Sequence, residues 1–136
     1  MTKSEIIEFI NANRSCYLAT VEGNRPHLRA MGIHQADEDG IIIQACKFKD
    51  VHKQLCNNQN VELCFLKGEV QIRVSGTVEF VDDTAFRDEV VAKRPRLKEI
   101  VEKHGNDVIT IYRLRHGLAT VWTHETDLDP KIYIEL

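Results

Sequence analysis

The chain has 136 residues, of which 43% are hydrophobic and 29% are charged, and its formal net charge is −3. These values predict a single domain, residues 1–136, that buries a sizeable core, and they argue against general attraction to nucleic acid. Because no apolar run approaches the roughly 20 residues of a membrane span and no signal-peptide core follows Met1, we expect a cytoplasmic protein without a membrane segment.

The first half of the chain predicts one helix and then a run of strands without crossover helices. Thr2 and Glu5 can cap a helix over residues 4–11. The strands that follow are predicted at 15–21, 27–35 and 41–45. Since only short turns join them, the sheet should be antiparallel here.

After the apolar run at residues 41–43, a lysine-rich loop leads to a short helix. Asp50 is its predicted N-cap, and Val51 and Leu55 lie four apart on one helix face. An asparagine-rich turn ends this helix before a strand at 61–65.

The second half of the chain predicts two long strands on either side of a helical region. The helical region begins at the acidic pair 82–83 and is interrupted by Pro95. The strands are predicted at 69–81 and 108–122, with a short edge strand at 131–135. From this pattern alone, a split barrel and an OB-like barrel fit equally well.

Two lysines at the start of the short helix are candidate binding residues. Lys49 precedes the helix and Lys53 lies in its first turn, so two ammonium groups adjoin the free amides of a helix N-terminus. This arrangement suits a phosphate, although the carboxylate of Asp50 would compete for the same amides. A solvent-exposed face is the other interpretation of these lysines. We also predict a solvated helix face for four further basic residues: Lys93, Arg94, Arg96 and Lys98.

The cysteines and histidines indicate neither a metal site nor a nucleophile. The four cysteines form no CxxC pair, which favours reduced, packed thiols. His52 and Cys56 share a helix face at i, i+4, but two ligands make no metal site. No histidine has a Ser or Cys partner at a useful spacing, so no catalytic acid or base is assigned and the catalytic residues stay unknown.

The segment at residues 40–65, GIIIQACKFKDVHKQLCNNQNVELCF, resembles the centre of a known family. It is similar to the pyridoxamine 5′-phosphate oxidase-like, FMN-binding split-barrel family, in its small bacterial single-domain branch. In that family a strand ends in a polar turn, a basic loop and a short helix, and an asparagine-rich turn leads to the next strand. The resemblance implies a mainly β (α+β) fold: a six-stranded antiparallel split β-barrel with Greek-key topology and a few short peripheral helices.

The resemblance assigns cofactor-binding roles to two strand segments. In the family, the strand after the first turn carries an arginine that reaches the FMN phosphate, while neighbouring backbone bonds the flavin ring. The matching residues here are Arg29, Ala30, Met31 and Gly32. Gln44 and Ala45 match the strand end that borders the flavin, although the classical oxidases have a threonine at the position of Ala45.

The resemblance also assigns roles to the basic loop and to a late strand. Lys49, Asp50 and Lys53 match the loop around the phosphate, although Val51 stands where the classical oxidases have a third basic residue. Trp122 matches a late-strand tryptophan that comes from the partner subunit and packs near the flavin. The resemblance therefore implies a homodimer that holds FMN at its interface.

The activity implied is that of an FMN-dependent oxidoreductase or flavin reductase acting on an unidentified small molecule. No Arg-x-His follows Trp122, as it does in the classical oxidases, so oxidation of vitamin B6 is not expected. A non-catalytic flavin-binding or electron-carrier module is the alternative from another class. The same barrel holding haem or a deazaflavin is a third.

Overall fold

The computed structural model describes residues 1–136, and it contains four helices and nine strands. The helices are α1 (Lys3–Ala12), α2 (Asp50–Asn57), α3 (Thr84–Ala92) and α4 (Pro95–His104). The strands are β1 (Ser15–Glu22), β2 (Arg25–Gly32), β3 (Gln35–Asp37), β4 (Gly40–Cys46), β5 (Asn60–Lys67), β6 (Val70–Phe80), β7 (Ile109–Leu114), β8 (Leu118–Trp122) and β9 (Ile134–Glu135). None of the helices is both long and apolar enough to cross a membrane.

The strands form two antiparallel layers that share the long strand β6. The first layer has the order β2-β1-β5-β6-β8-β9, and the second has the order β3-β4-β7-β6. Residues 70–77 of β6 pair with β5, whereas residues 78–80 pair with β7. The structure is mostly antiparallel sheet and the sheet does not close on itself. The prediction of a mainly β split barrel is therefore confirmed.

Nine strands arise where six long strands and one edge strand were predicted, because two of the long segments are each divided into two strands. The segment at 27–35 breaks after Gly32, where the amides of Ile33 and His34 donate to Arg14 and Ile42 instead of continuing the ladder. The segment at 108–122 divides into β7 and β8 around His116, whose φ is +54°. Of the edge strand predicted at 131–135, only the two residues of β9 form a strand.

The main core lies between the two layers and is closed at one end by α1, whose Ile6 and Ile10 are fully buried. The apolar run of β4 is continuous because both faces of this strand are buried. Ile41 and Ile43 belong to the main core, while Ile42 packs in a second cluster with residues of α3, α4 and β7. This second cluster fixes α4 against β4, and thereby places the start of α4 beside β2 and α2.

The caps of three helices were predicted, and one of these predictions is wrong. Thr2 accepts a hydrogen bond from the amide of Glu5 (3.2 Å), and Asp83 accepts one from Phe86 (3.0 Å), as the sequence predicts. Asp50, however, is already the first helical residue of α2. Lys49 is the N-cap with extended backbone (φ −87°, ψ 149°) and no side-chain bond to the helix. No side chain therefore caps the first amides of α2, although the amide of His52 donates to the carbonyl of Lys49 (3.1 Å).

Candidate functional site

A cavity of about 250 Å³ opens where β2, the end of β4, the start of α2 and the start of α4 meet. Most of the residues predicted to bind a cofactor line it: Arg29, Ala30, Met31, Gly32, Gln44, Ala45 and Lys49. The fold thus brings β2, β4 and the start of α2 together with the start of α4, which lies much further along the chain.

Arg29 is held in place by a buried polar network beneath the cavity. Its Nη1 donates to Thr20 Oγ1 (2.8 Å) and to the carbonyl of Leu18 (3.3 Å), and its Nη2 donates to Gln54 Oε1 (2.5 Å). Gln54 Oε1 also accepts from Thr20 Oγ1 (2.6 Å). Burial lowers the pKa of Arg29, and the nearby carboxylate of Asp50 opposes that shift. The network orients the guanidinium without placing a carboxylate against it.

Gln54 was missed by sequence reasoning, although it decides where Arg29 points. Its side chain is 5% exposed and it belongs to the inward face of α2. The only sequence signal was its position three residues after Val51, which places it on the buried face of the helix.

Gln44 offers a free acceptor to a ligand. Its Nε2 donates to the carbonyl of Gly32 (2.9 Å), while its Oε1 is buried without a hydrogen-bond partner. A buried amide oxygen without a hydrogen-bond partner costs roughly 1–3 kcal/mol of stability. A ligand N–H that donates to this oxygen would recover that free energy as binding affinity. Strand β2 adds to this polarity because it pairs only with β1 and leaves its other edge unpaired.

Positive charge converges on the cavity. Arg29, Lys49, Arg94 and Arg96 line it, and no lining residue is acidic. The uncapped amides of α2 add the positive end of a helix dipole next to Lys49. The arrangement suits a ligand that carries a phosphate or another compact anion.

The prediction that Arg94 belongs to a solvated helix face is wrong, whereas Lys93, Arg96 and Lys98 are exposed as predicted. Arg94 is the N-cap of α4 and is half-buried, because Pro95 begins the helix and turns the preceding residue inward. It donates to the carbonyl of Ile33 and to His34 Nδ1 (3.4 Å). The Arg-Pro pair was the signal in the sequence.

A second basic cavity of about 480 Å³ adjoins the first and shares Gly32, Arg94 and Arg96 with it. His34 lines this cavity and is 6% exposed. Burial lowers the pKa of His34, and Arg94, Lys93 and Arg14 lower it further. Since Nδ1 accepts a bond from Arg94, the neutral ring carries its proton on Nε2.

Three of the predicted residues lie outside the first cavity. Asp50 and Lys53 are exposed on α2 and do not line it. Trp122 lines a different cavity of about 500 Å³, where its Nε1 donates to Asp127 Oδ1 (2.6 Å) and its ring meets His124 edge-on. Within one chain, the cavity that Trp122 lines has no residue in common with the first cavity. Their predicted roles stay predictions.

No cluster of three or more His, Cys, Asp and Glu side chains is arranged to hold a metal ion.

Comparison with known proteins places this geometry in a family. The family model described as pyridoxamine 5′-phosphate oxidase matches residues 2–120. A NimC/NimA family protein from Clostridium acetobutylicum is 24% identical, with a TM-score of 0.79 over 98% of this chain and 92% of that chain.

Two further solved structures have the same fold with different named ligands. A FAD-binding protein from Mesorhizobium loti is 13% identical, with a TM-score of 0.67 over 90% of this chain and 96% of that chain. The heme storage protein HutZ from Vibrio cholerae is 18% identical, with a TM-score of 0.61 over 90% of this chain and 95% of that chain. No curated protein sequence matches the chain. Because the family model covers most of its length, the chain belongs to the pyridoxamine 5′-phosphate oxidase family.

Proposed function

We propose that the protein binds FMN in the cavity between β2, β4, α2 and α4, and that it is an oxidoreductase acting on an unidentified small molecule. The observation that carries this proposal is the convergence of four cationic side chains on a cavity without any acidic lining residue. The family match supports a flavin, and the FAD-binding relative of the same fold supports it further.

The phosphate end of FMN fits the side of the cavity formed by Arg29, Lys49 and the start of α2. Three of the five N–H groups of the Arg29 guanidinium are used within the protein, so two remain for a phosphate oxygen. Lys49 adds an ammonium group, and the uncapped amides of α2 add further donors.

The ring end of FMN fits the strand side of the cavity. The unpartnered Oε1 of Gln44 accepts a ring N–H, and the free edge of β2 offers backbone groups from Ala30 to Gly32. When bound, the flavin supplies the electron transfer. The protein's own residues bind it, orient it and fix its polar environment.

We also propose that the site is completed by a second copy of the chain. The cavity of about 250 Å³ lies below the ~300–1,000 Å³ usual for ligand pockets, so one chain alone gives FMN little room. The outer face of the first layer carries exposed apolar side chains that a partner would cover: Tyr17 (48%), Leu28 (69%), Leu66 (54%) and Leu118 (46%). Register places Trp122 on this same face, opposite Gln71.

The neighbouring cavity around His34 suits the substrate. Its lining includes Arg14, Lys93, Arg94 and Arg96 and no acidic residue, so we expect a negatively charged substrate. His34 Nε2–H is available there as a hydrogen-bond donor to the substrate, because the ring is neutral and its other nitrogen is engaged by Arg94.

Two alternatives have different observable signatures. A haem or deazaflavin ligand, suggested by the likeness to HutZ for haem, would give an absorbance spectrum unlike that of FMN after incubation with each compound. A non-catalytic electron carrier would bind FMN but would oxidise NAD(P)H only stoichiometrically, whereas an enzyme would turn over.

The test of the FMN site compares two lysines of equal charge near the start of α2. Lys49→Ala should weaken FMN binding by about tenfold or more, because it removes a charge-assisted contact worth roughly 1.5–3 kcal/mol. Lys53→Ala is the matched control and should change binding much less, because Lys53 does not line the cavity. Absorbance titration of each variant with FMN measures both.

The same titrations with riboflavin form the second part of the test, because riboflavin lacks the phosphate. Its affinity should be the same for wild type and Lys49→Ala. Equal loss of FMN and riboflavin binding would show that Lys49 acts through the fold, and no FMN binding by the wild type would overturn the proposed function.

A further inference from the structure

Three polar side chains from different elements form a closed ring of hydrogen bonds beneath the cavity. They are Thr20 on β1, Arg29 on β2 and Gln54 on α2. Arg29 donates to both of the others, and Thr20 Oγ1 donates in turn to Gln54 Oε1. Of the three, only Arg29 lines the cavity. Thr20 and Gln54 therefore act on a ligand in the cavity through Arg29.

Gln54 is a polar residue at a position of α2 that is buried. Its neighbours on the inward face of the helix are Val51 and Leu55, and it is only 5% exposed. Thr20, on which it packs, is 1% exposed. Burial of an amide costs free energy unless its hydrogen bonds are made. The two donors that reach Gln54 Oε1 supply those bonds and fix its orientation.

The ring determines which N–H groups of Arg29 are left for a ligand. Nη1 uses both of its hydrogens, one on Thr20 Oγ1 and one on the carbonyl of Leu18, and Nη2 uses one on Gln54 Oε1. The hydrogens that remain are the one on Nε and the second one on Nη2, which lie parallel along one side of the planar guanidinium. That pair matches two oxygens of one phosphate group.

The ring also leaves the positive charge of Arg29 uncompensated. A hydroxyl, a side-chain amide and a backbone carbonyl accept its hydrogen bonds, and all three are neutral. Two other half-buried arginines lie near carboxylates instead: Arg73 is 3.9 Å from Glu62, and Arg87 is 3.7 Å from Asp107. Arg29 therefore presents a full cationic charge to the cavity.

We propose that Gln54 is a positioning residue that gives the cavity its preference for a phosphate, because it holds Arg29 in place with a neutral acceptor. This inference rests on the FMN site proposed above. A glutamate at this position would keep the shape and the accepted hydrogen bonds of Gln54, but it would place a carboxylate against the guanidinium. A phosphate would then meet a neutral ion pair instead of a cation.

The test titrates the full chain with FMN and with riboflavin, at low and at high salt, and follows flavin absorbance. Gln54→Glu should weaken FMN binding by about tenfold or more, the factor expected for loss of one charge-assisted contact. Riboflavin binding should stay unchanged, because riboflavin has no phosphate. The salt dependence of FMN binding should also become shallower, since one cation is compensated.

Two further variants separate charge from shape. Gln54→Met has a similar size but no acceptor, so it releases Arg29 with its charge intact. It should lower the FMN-to-riboflavin affinity ratio and keep the salt dependence of the wild type, and it tests the role of Gln54 even where a buried carboxylate unfolds the chain. Asn57→Asp is the matched control, because it adds the same charge at the exposed far end of α2. Its affinity ratio should equal that of the wild type.

The outcomes distinguish this inference from the function on which it rests. An affinity ratio that stays at the wild-type value in Gln54→Glu or Gln54→Met would overturn the positioning role and leave the FMN site standing. Equal losses of FMN and riboflavin binding would overturn it as well, since Gln54 would then act through the fold. A wild type that binds riboflavin as tightly as FMN would instead overturn the proposed phosphate site, and this inference with it.

Discussion

At the scale of single residues, two histidines are held neutral by their surroundings. Burial is the largest cause of the lowered pKa for both His34 and His52, and nearby cations add to it. In the unfolded chain each would titrate near its ordinary value of 6.5. Below that value the unfolded state binds protons that the folded state does not, so stability falls as pH falls through this window.

We therefore expect the free energy of unfolding to decrease between about pH 7.5 and about pH 5.5. His34→Gln should flatten this decrease, because it removes one of the two groups. Urea denaturation at a series of pH values measures the slopes. An equal slope in wild type and His34→Gln would show that His34 does not titrate differently in the two states.

At the scale of elements, two glycines in hairpin turns test how tightly β4 is held against β7. Gly40 has φ +121°, and a Cβ there would lie 2.4 Å from the carbonyl oxygen of Leu114. Gly23 has φ +62° with no atom within 4 Å of its Cβ position. Gly40→Ala should cost about 2–5 kcal/mol, from backbone strain plus the clash. Gly23→Ala should cost about 1–2 kcal/mol, from backbone strain alone.

Urea denaturation of both variants at one pH measures this difference. Both substitutions add the same methyl group at a positive φ, so the difference between them reports the contact of β4 with the β7 backbone together with the greater backbone strain at φ +121°. Similar losses for the two variants would mean that β4 can move away from β7 at little cost.

At the scale of the whole molecule, we propose that the exposed apolar face of the first layer forms a dimer interface and so links dimer formation to the cofactor. If FMN contacts both chains, its binding must favour the dimer by linkage. Trp122→Ala should then weaken FMN binding and shift the protein toward monomer, with added FMN partly restoring the dimer. Sedimentation with and without FMN measures both effects.

The single tryptophan gives this prediction a second readout. In the wild type, a flavin near Trp122 should quench its fluorescence strongly as FMN is added. A stable dimer that binds FMN while Trp122 emission stays constant would contradict the shared site and leave this residue with a structural role only.

Much of the architecture was predictable because its signals are local. Alternation and β-branched runs predicted the long strands, and the caps at Thr2 and Asp83 follow from hydrogen bonds within three residues. The cap of α2 was misplaced by one residue, because Lys49 has no capping side chain to mark it. The family resemblance, rather than periodicity, decided between a split barrel and an OB-like barrel.

By itself, the sequence determined most of the strands and helices, the family, and the residues of β2 and β4 that line the cavity together with Lys49. Only the tertiary structure decided that Gln54 holds Arg29 and that Arg94 turns into the site. The physical reason is that capping and periodicity depend on neighbours in the chain. Convergence of side chains depends on the pairing of β4 with β7 and on the packing of α2 and α4 against them.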